Sequence, residues 1–374
     1  MQYRANVIAR AYKIINYEIN KHMKSQTKQK SKSKTKQAAR SSTTRRKPQK
    51  SRSAQAKNSR RQYSLAVLLF CLIVSMFFGG DLKGFLAVGT DAVAAYLDGK
   101  LLGQSQDAGK SGDIKDSTLQ IHFLDIGQGD ATYITCDGHS MLVDAGNNNK
   151  GTQVQSYLES QKISSLDYLV GTHPDADHIG GLDVVLTKFP AKKLFMPDYE
   201  KDTKTYEDVV KAAKYRRLEI THPKAGQTYP LGSAKITILG PLEAYSDAND
   251  NSICFLLEHG ENRFLFTGDA EEDAESDMLS AGENVQADVY KVSHHGSKTA
   301  TTEAFFREIS PVYAVISCGD DNRYGHPHAE VLNRLRAAGV QMFRTDDQGT
   351  VVVVSDGTDL TFNCSPSDDW AAGE

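Results

Sequence analysis

The chain has 374 residues, and its 44 basic and 47 acidic side chains give a net charge of −3. That near-neutral total hides two oppositely charged parts, because residues 1–62 hold 19 Lys or Arg against one acidic residue and carry +18, which leaves −21 for residues 63–374. A hydrophobic content of 39% excludes a wholly disordered or collagen-like chain, and five cysteines without a CxxC pair exclude a disulfide scaffold or a zinc ribbon.

The N-terminal part predicts a tail, a membrane anchor and a stalk. We interpret residues 1–62 as a mostly disordered basic tail, because most of them are polar or basic and cannot offset the entropy of ordering. The charge of this tail favours contact with anionic lipid headgroups over sequence-specific binding of nucleic acid. Residues 63–80 contain the uncharged run SLAVLLFCLIVSMFFGG, which predicts a transmembrane signal anchor. Residues 81–117 are expected to form a stalk or linker.

The charges that flank the anchor predict its orientation. Because the basic tail precedes the apolar run, we expect a single-pass protein of the cell membrane, with a cytoplasmic N-terminus and an extracellular catalytic domain. A cleaved signal peptide is the alternative, although its positive region would be far longer than usual.

Strand-like and helix-like segments alternate from residue 118 to 365, ahead of a C-terminal tail at 366–374. Short strands are expected at 119–125, 131–136 and 140–144. Helical patterns at 153–161, 205–213, 270–281, 301–309 and 329–338 are each followed by an apolar strand. This alternation predicts a layered α/β domain with its sheets between helices.

The strongest chemical signal is the segment His173 to Gly181, HPDADHIGG, which directly follows an apolar strand. Four potential ligands fall within six residues, at the carboxyl end of a strand, where side chains can converge. Imidazole and carboxylate together suit a divalent transition ion, so the pattern predicts a metal site.

Acidic or imidazole residues also end three other apolar strands. These residues are Asp144, Asp269 and the pair His294–His295. A single charged residue at a strand end is what any chain shows on reaching water, but its recurrence favours one site built from several loops.

Taken together, these motifs resemble the metallo-β-lactamase fold, and within it the soluble metallo-hydrolase domain of ComEC-type competence and DNA-uptake proteins. The matching segments keep one order along residues 118–365: HFLDIGQGDA (122–131), VDAG (143–146), the His173 loop, NDNS (249–252), TGD (267–269), SHHGS (293–297) and RYGHPH (323–328). The resemblance implies a four-layer αββα sandwich and a hydrolytic site with two divalent metal ions.

The same resemblance implies roles for the residues of the site. The metal ligands would be His173, Asp175, Asp177, His178, Asp269 and His295. Asp269 would bridge the two ions, which would activate a hydroxide with Asp177 among the catalytic groups. His294 would protonate the leaving group, although the sequence alone does not separate the roles of His294 and His295. His328 is a second candidate proton donor.

Two departures from the broader family bear on the choice of metal. Asp175 stands where a His is common, and the further His usually found before the bridging Asp is not evident, since Asn249 to Ser252 occupies that region. The site of the first ion, which the resemblance assigns to His173 and Asp175, is therefore richer in oxygen ligands, and both Zn²⁺ and Mn²⁺ remain open.

Further residues are expected around the metals. Candidate substrate contacts are Asn251, Ser252, Arg323 and His326, of which Asn251 and Ser252 are alternatively expected to contact groups behind the ligands. Asp130 and Asp144 are candidate carboxylates behind the ligands. A guanidinium such as that of Arg323 suits a phosphate.

We expect a membrane-anchored, metal-dependent hydrolase, specifically a phosphodiesterase or nuclease that acts on nucleic acid. One alternative is a hydrolase of cell-envelope phosphodiesters such as phosphorylcholine or teichoic-type esters, and another is a metal-free surface binding module. With one predicted span, the chain is not itself a translocation channel. Because residues 63–374 carry −21, local basic groups such as Lys291, Lys298 and Arg323 would have to offset the repulsion of a polyanion.

Overall fold

The computed structural model describes residues 118–320 and 322–373 of the chain. The predicted basic tail at 1–62, the anchor at 63–80 and the stalk at 81–117 lie outside the described residues. Within the described ranges, no helix combines the length and the apolar character that a bilayer crossing requires.

The strands are short and occur along the whole described chain. The first of them are β1 (Leu119–Phe123), β2 (Thr132–Cys136), β3 (His139–Val143), β4 (Leu166–Val170), β5 (Ala191–Phe195), β6 (Ile220–Thr221), β7 (Thr228–Leu231) and β8 (Ala234–Gly240). The later ones are β9 (Cys254–His259), β10 (Asn262–Phe266), β11 (Val289–Lys291), β12 (Tyr313–Ile316), β13 (Gln341–Arg344), β14 (Val351–Ser355) and β15 (Leu360–Phe362).

Helices connect many of these strands. They are α1 (Gly151–Ser160), α2 (Ala176–Ile179), α3 (Leu182–Lys188), α4 (Lys204–Arg216), α5 (Glu272–Ser280), α6 (Glu303–Ile309), α7 (Ala329–Ala337) and α8 (Thr345–Gln348). A 3₁₀ turn covers Ser293–Gly296. Helices lie where the five helical patterns predicted them, as α1, α4, α5, α6 and α7.

The strands form two sheets that pack face to face. One sheet has the order β15-β14-β1-β2-β3-β4-β5-β6, and the other has the order β13-β12-β11-β10-β9-β8-β7. Their facing sides share one core, in which Phe123 of the first sheet stacks on Phe266 of the second with ring centroids 6.1 Å apart. The outer side of the first sheet packs against α1, α3 and α4, and that of the second against α5, α6 and α7. The predicted α/β sandwich is confirmed, and its layers run helix, sheet, sheet, helix.

Helix α4 shows how local sequence produces one of these layers. Thr203 caps its start, since the Thr203 side chain accepts the N–H of Tyr206 at 3.3 Å. Val209 and Ala213, spaced by four residues, are buried on one face against the first sheet. The helix ends where Arg217 takes a left-handed conformation.

Parallel pairing brings several loops to one edge of the sandwich. Strand β4 runs parallel to β3 and β5, while β11 runs parallel to β10 and β12. Because the carboxyl ends of parallel strands lie at the same edge, the loops that follow β3, β4, β10, β11 and β12 converge there. These loops carry most of the residues that the sequence predicts for the metal site.

Residues 366–373, predicted as a C-terminal tail, have no helix or strand and pack along the domain. Ser367 donates its backbone N–H to the carbonyl of Met342 at 2.7 Å, and Gly373 donates its own to Pro327 at 3.0 Å. Trp370 packs against the outer core of the second sheet. The segment thus supports the loop that contains Pro327.

Candidate metal centre

The centre of the site is the carboxylate of Asp269, which follows β10. Four imidazoles surround its Oδ2: Nε2 lies 3.2 Å away in His178, 3.5 Å in His295, 3.7 Å in His294 and 3.9 Å in His173. Asp269 itself is 3% exposed. One carboxylate oxygen therefore faces imidazole nitrogens supplied by two different loops, after β4 and after β11.

Hydrogen bonds to buried acceptors determine which ring nitrogen His178 and His295 present to Asp269. Nδ1–H of His178 donates to Oδ2 of Asp144 at 2.9 Å, and Nδ1–H of His295 donates to the carbonyl of Ser317 at 2.9 Å. Both rings consequently direct Nε2 to the centre, where these two nitrogens lie 3.2 Å apart. A protonated Nδ1 leaves Nε2 as the lone-pair nitrogen, which is the form that binds a metal.

Asp144 is itself held by Thr172, the residue before the His173 loop. Thr172 donates its backbone N–H to Oδ1 of Asp144 at 2.8 Å and its hydroxyl to Oδ2 at 2.7 Å. Asp144 is 1% exposed, so this carboxylate acts on His178 from behind, in the position that the sequence predicted.

The turn after β11 places two adjacent histidines around the same carboxylate. His294 and His295 have φ of 47° and 53°, which is uncommon for residues other than glycine, and Gly296 continues the turn at φ 84°. The N–H of His294 donates to the carbonyl of Gly268 at 3.1 Å and stabilises this geometry. His295 is buried, whereas His294 is partly exposed and its Nδ1 lies 2.7 Å from Oε1 of Glu271.

The charges of the site favour a cation at its centre. Burial opposes ionisation of Asp269, but His178, His295 and His294 hold the pKa of that carboxyl well below its usual value. Burial also opposes a charge on His178, yet Asp269 and Asp144 raise the pKa of this imidazole well above its usual value. Without a metal, His178 therefore carries a second proton, on Nε2, which a bound cation would displace. Burial and the neighbouring His178 lower the pKa of His173, which keeps that ring neutral and able to coordinate.

Unpaired buried atoms provide a test of whether the residues fit metal ions. Among the described residues, Nε2 of His173, Oδ1 of Asp269 and Oδ1 of Asp130 are buried and have no hydrogen-bond partner. A buried polar atom without a partner is unfavourable by about 1–3 kcal/mol, and a bound cation would satisfy each of these acceptors. Imidazole and carboxylate donors are those that Zn²⁺ and Mn²⁺ accept, so the donor set fits.

Asp130 lies next to the group formed by Asp269 and its four imidazoles, which we call the cluster. One ligand atom from each of Asp130, His178, Asp269 and His295 lies within 4.8 Å of the others. Oδ2 of Asp130 is bonded to the buried ammonium of Lys291 at 2.9 Å. The sequence placed Asp130 behind the ligands and named Lys291 only as a local basic group. The local signal for this pair is a lysine in the apolar strand β11, since a buried lysine requires a partner.

The two aspartates of the His173 loop have different surroundings. Oδ2 of Asp177 lies 3.6 Å from Nε2 of His295, beside the cluster. Asp175 pairs with the ammonium of Lys201 and lines a cleft next to the cluster. Among the predicted ligands in the described residues, Asp175 is thus the one whose carboxylate pairs with a lysine.

Asn251 and Ser252, expected to contact substrate, are instead bonded within the protein. Asn251 is 2% exposed, and its side chain bonds the backbone of Tyr245 and Asp247. Ser252 is 0% exposed, and its hydroxyl accepts the N–H of Asp269 at 3.1 Å. Both therefore support the site from the protein side and do not face the cleft.

The segment after β12 brings further rings to the cluster. The ring of His326 lies 5.2 Å from that of His294, and burial together with His295 and His294 lowers the pKa of His326 to about 3. His328 packs on His326 with centroids 4.9 Å apart, and its Nδ1 accepts the N–H of Lys298 at 3.1 Å. A neutral His326 is an acceptor or a packing ring rather than an acid at neutral pH.

A cleft of about 630 Å³ opens beside Asp177. Its walls carry Lys201 and Arg323 together with the polar side chains of Thr203, Thr205, Asn147 and Gln128. The cleft thus places two cations next to the cluster, although the domain as a whole is acidic.

Comparison with known proteins agrees with this geometry. The model of the Metallo-beta-lactamase superfamily matches residues 124–320. ComE operon protein 3 of Bacillus subtilis (strain 168) is 32% identical over 252 residues, which cover 62% of this chain and 32% of that protein. Recombination protein 2 of Haemophilus influenzae is 34% identical over 224 residues, which cover 58% of this chain and 26% of that protein. Competence protein ComA of Neisseria gonorrhoeae is 30% identical over 243 residues, which cover 64% of this chain and 32% of that protein.

The chain spans about a third or less of the length of these three relatives. The family match covers more than half of the chain, including the His173 loop, Asp269 and the His294–His295 turn. The chain therefore belongs to the metallo-β-lactamase superfamily.

Proposed function

We propose that the chain is a divalent-metal-dependent phosphodiesterase that acts on nucleic acid. The observation that carries the proposal is the position of Asp269 Oδ2, which lies 3.2–3.9 Å from four imidazole nitrogens. One of these imidazoles, His295, lies 3.6 Å from Asp177, which lines the cleft that holds Lys201 and Arg323. The names of the similar proteins, which include competence proteins, support a DNA-related substrate.

The ligands of the ions would be three of the imidazoles around Asp269 and the carboxylate of Asp177 beside His295. They are His173, His178, His295 and Asp177, with Asp269 between them and with Asp175 and Asp130 at the margin. When bound, divalent ions lower the pKa of water and stabilise negative charge on an attacked phosphoryl group. We propose Zn²⁺ or Mn²⁺, because both accept imidazole with carboxylate.

The residues of the chain supply orientation and proton transfer. Asp144 holds the ring of His178, and the carbonyl of Ser317 holds that of His295. His294 is partly exposed, and burial is outweighed by Asp269 and Glu271, which raise its pKa. Its protonated Nε2 is thus able to donate to a leaving oxygen.

Arg323 supplies the contact to the substrate phosphate. It lies at the surface of the cleft, on the side of Asp177. A guanidinium donates two parallel hydrogen bonds to the oxygens of a phosphate.

Turnover of several phosphodiesters side by side tests the proposal. The full chain, purified in detergent, is incubated with Mn²⁺ or Zn²⁺ and single-stranded DNA, double-stranded DNA, RNA or bis-p-nitrophenyl phosphate. We expect hydrolysis of nucleic acid that stops with EDTA. Hydrolysis of a teichoic-type polymer but not of nucleic acid would favour the cell-envelope alternative, and metal content far below one equivalent would favour a metal-free binding module.

We propose further that residues 63–80 anchor the chain in the cell membrane, with the N-terminus in the cytoplasm and the catalytic domain outside. The uncharged run and the +18 of residues 1–62 support this topology. Alkaline extraction of membranes tests the anchor: the full chain should stay with the lipid, and a chain without residues 63–80 should be released. Protease added to intact cells should cleave the catalytic domain, and protection of the domain would contradict the topology.

A further inference from the structure

We propose that Tyr324 and Arg323 bind one nucleotide of a single-stranded nucleic acid at the mouth of the cleft. Tyr324 stacks on a base, and Arg323 contacts the neighbouring phosphate. The inference rests on the proposed function and adds to it the form of nucleic acid that the site takes.

The first observation is the exposure of an aromatic ring beside the site. Among the described residues, the exposed large hydrophobic side chains are Tyr215, which is 80% exposed, and Tyr324, which is 47% exposed. Tyr324 lines the same cleft as Asp177. An aromatic ring held in water beside a reactive cluster offers a surface that a planar ligand can cover.

The second observation is that buried hydrogen bonds fix the loop that carries this ring. Asn322 is 7% exposed, and its Oδ1 accepts the N–H of Tyr324 at 3.2 Å and that of His326 at 3.0 Å. Its Nδ2 donates to the carbonyl of Gly319 at 2.8 Å. A loop fixed in this way loses little conformational entropy when a ligand stacks on it.

The third observation is a series of rings from Tyr324 to the metal centre. Tyr324 stacks on His326 with centroids 5.6 Å apart and an interplanar angle of 21°, and His326 contacts His294 at 5.2 Å. His294 in turn lies 3.7 Å from Asp269. A base on Tyr324 would thus be separated from Asp269 by two histidine rings, so the same strand could extend from Tyr324 to the metal centre.

The fourth observation is a cation on the aromatic ring. The guanidinium carbon of Arg323 lies 4.8 Å from the centroid of Tyr324, and Nη2 donates to the Tyr324 hydroxyl at 2.6 Å. Arginine and aromatic rings together are the groups that proteins use to stack bases and track phosphates of single strands. A base that stacks on Tyr324 would replace the guanidinium on the ring, and Arg323 would then reach the neighbouring phosphate.

These features distinguish single strands from the other phosphodiesters. In a duplex, each base is already stacked between its neighbours, so a base face becomes available only in a strand that is unpaired. A cell-envelope polyol phosphate has no base, so Tyr324 would have nothing to stack on. The ring therefore predicts a preference for a single strand that bears bases.

Binding of three fluorescein-labelled probes to the full chain tests the preference. The probes are a strand of twelve thymidines, a strand of the same length with abasic tetrahydrofuran sites, and a duplex of the same length, all measured by anisotropy in EDTA. A salt concentration of about 0.3 M weakens sequence-independent binding to the basic tail. The ratio of affinities between probes is the readout, because the tail contributes to all of them.

We expect Tyr324→Ala to weaken binding of the thymidine strand by roughly 5- to 100-fold, the range for loss of one stacked base. Tyr324→Phe should keep most of the affinity, because it keeps the ring. Tyr215→Ala, which removes the other exposed ring, should leave all three affinities unchanged. A thymidine strand with one 5-iodouracil should crosslink, on irradiation, to the peptide that contains Tyr324.

The inference is overturned if Tyr324→Ala weakens the thymidine and abasic strands equally, if the duplex binds as tightly as the single strand, or if the crosslink lies wholly outside residues 322–328. Its failure and that of the proposed function are distinguishable. Hydrolysis of the abasic strand as fast as the thymidine strand would overturn the inference and keep the phosphodiesterase. Base-dependent binding without hydrolysis of any phosphodiester would support the inference and overturn the proposed reaction.

Discussion

Nζ of Lys291 lies 2.9 Å from Oδ2 of Asp130, and both side chains are almost completely buried. Nζ also donates to the carbonyl of Val292 at 3.1 Å. Oδ1 of Asp130 lies 3.8 Å from Nδ1 of His295. A buried, neutralised charge pair thus stands directly behind one of the candidate ligands.

The first prediction concerns this pair. We expect Lys291→Met to lower the free energy of unfolding by about 3–5 kcal/mol, because Asp130 is left as a buried carboxylate without its cation. Urea unfolding of the metal-free protein, followed by the fluorescence of the single tryptophan, Trp370, measures the change. Lys235→Met is the matched control: its exposed pair with Glu258, at 2.7 Å, should contribute less than about 1 kcal/mol. Equal losses in the two variants would contradict the prediction.

The second prediction concerns the carboxylate behind His178. Asp144→Asn should lower metal affinity by about 10- to 100-fold, because an amide no longer holds the ring as a carboxylate does. Competition with a chelating dye measures the affinity. Asp167→Asn is a close control, since Asp167 likewise accepts from a histidine Nδ1, that of His139 at 3.2 Å, and from the N–H of Ser140 at 2.9 Å. Asp167 lies near the start of β4, whereas the His173 loop follows the end of that strand. A comparable loss of metal affinity in Asp167→Asn would therefore show that the effect is not specific to Asp144.

The third prediction concerns Asp269. Asp269→Ala should abolish metal-dependent hydrolysis, because it removes the carboxylate that the four imidazoles surround. Turnover of bis-p-nitrophenyl phosphate and metal content by mass spectrometry are measured together. Asp198→Ala, which removes a carboxylate that is 74% exposed, should leave both unchanged. Near-normal turnover of Asp269→Ala would exclude the proposed centre.

Sequence alone predicted those parts of the site that are local in the chain. The His173 loop carries its potential ligands within six residues, and Asp269 and His294 each follow an apolar strand, so their meeting followed from parallel pairing. The α/β sandwich was predicted for a similar reason, because alternating strand and helix patterns are themselves local.

What the sequence did not predict depends on contacts between distant residues. Lys291 and Asp130 are 161 positions apart, and neither has a local pattern that names the other. The bond of Asp175 to Lys201 joins two separate loops that line the same cleft. The sequence left open whether Asn251 contacts substrate or groups behind the ligands; burial decides between them, and burial is a property of the packed domain.

The final prediction separates the two adjacent histidines, which the sequence left interchangeable. His295 is 1% exposed, lies 3.2 Å from Nε2 of His178 and is oriented by the carbonyl of Ser317, so His295→Ala should lower the number of bound metal ions. His294 is partly exposed and bonded to Glu271, so His294→Ala should keep most of the metal and slow the step that protonates the leaving group.

Two substrates make this assignment measurable. The slowing in His294→Ala should be large for an alkoxide leaving group, as in DNA, and small for p-nitrophenolate, which leaves without a proton. Glu271→Gln should reproduce the same selectivity more weakly, because it removes one of the two carboxylates that raise the pKa of His294. Loss of metal in His294→Ala equal to that in His295→Ala would instead make both histidines ligands of the ions.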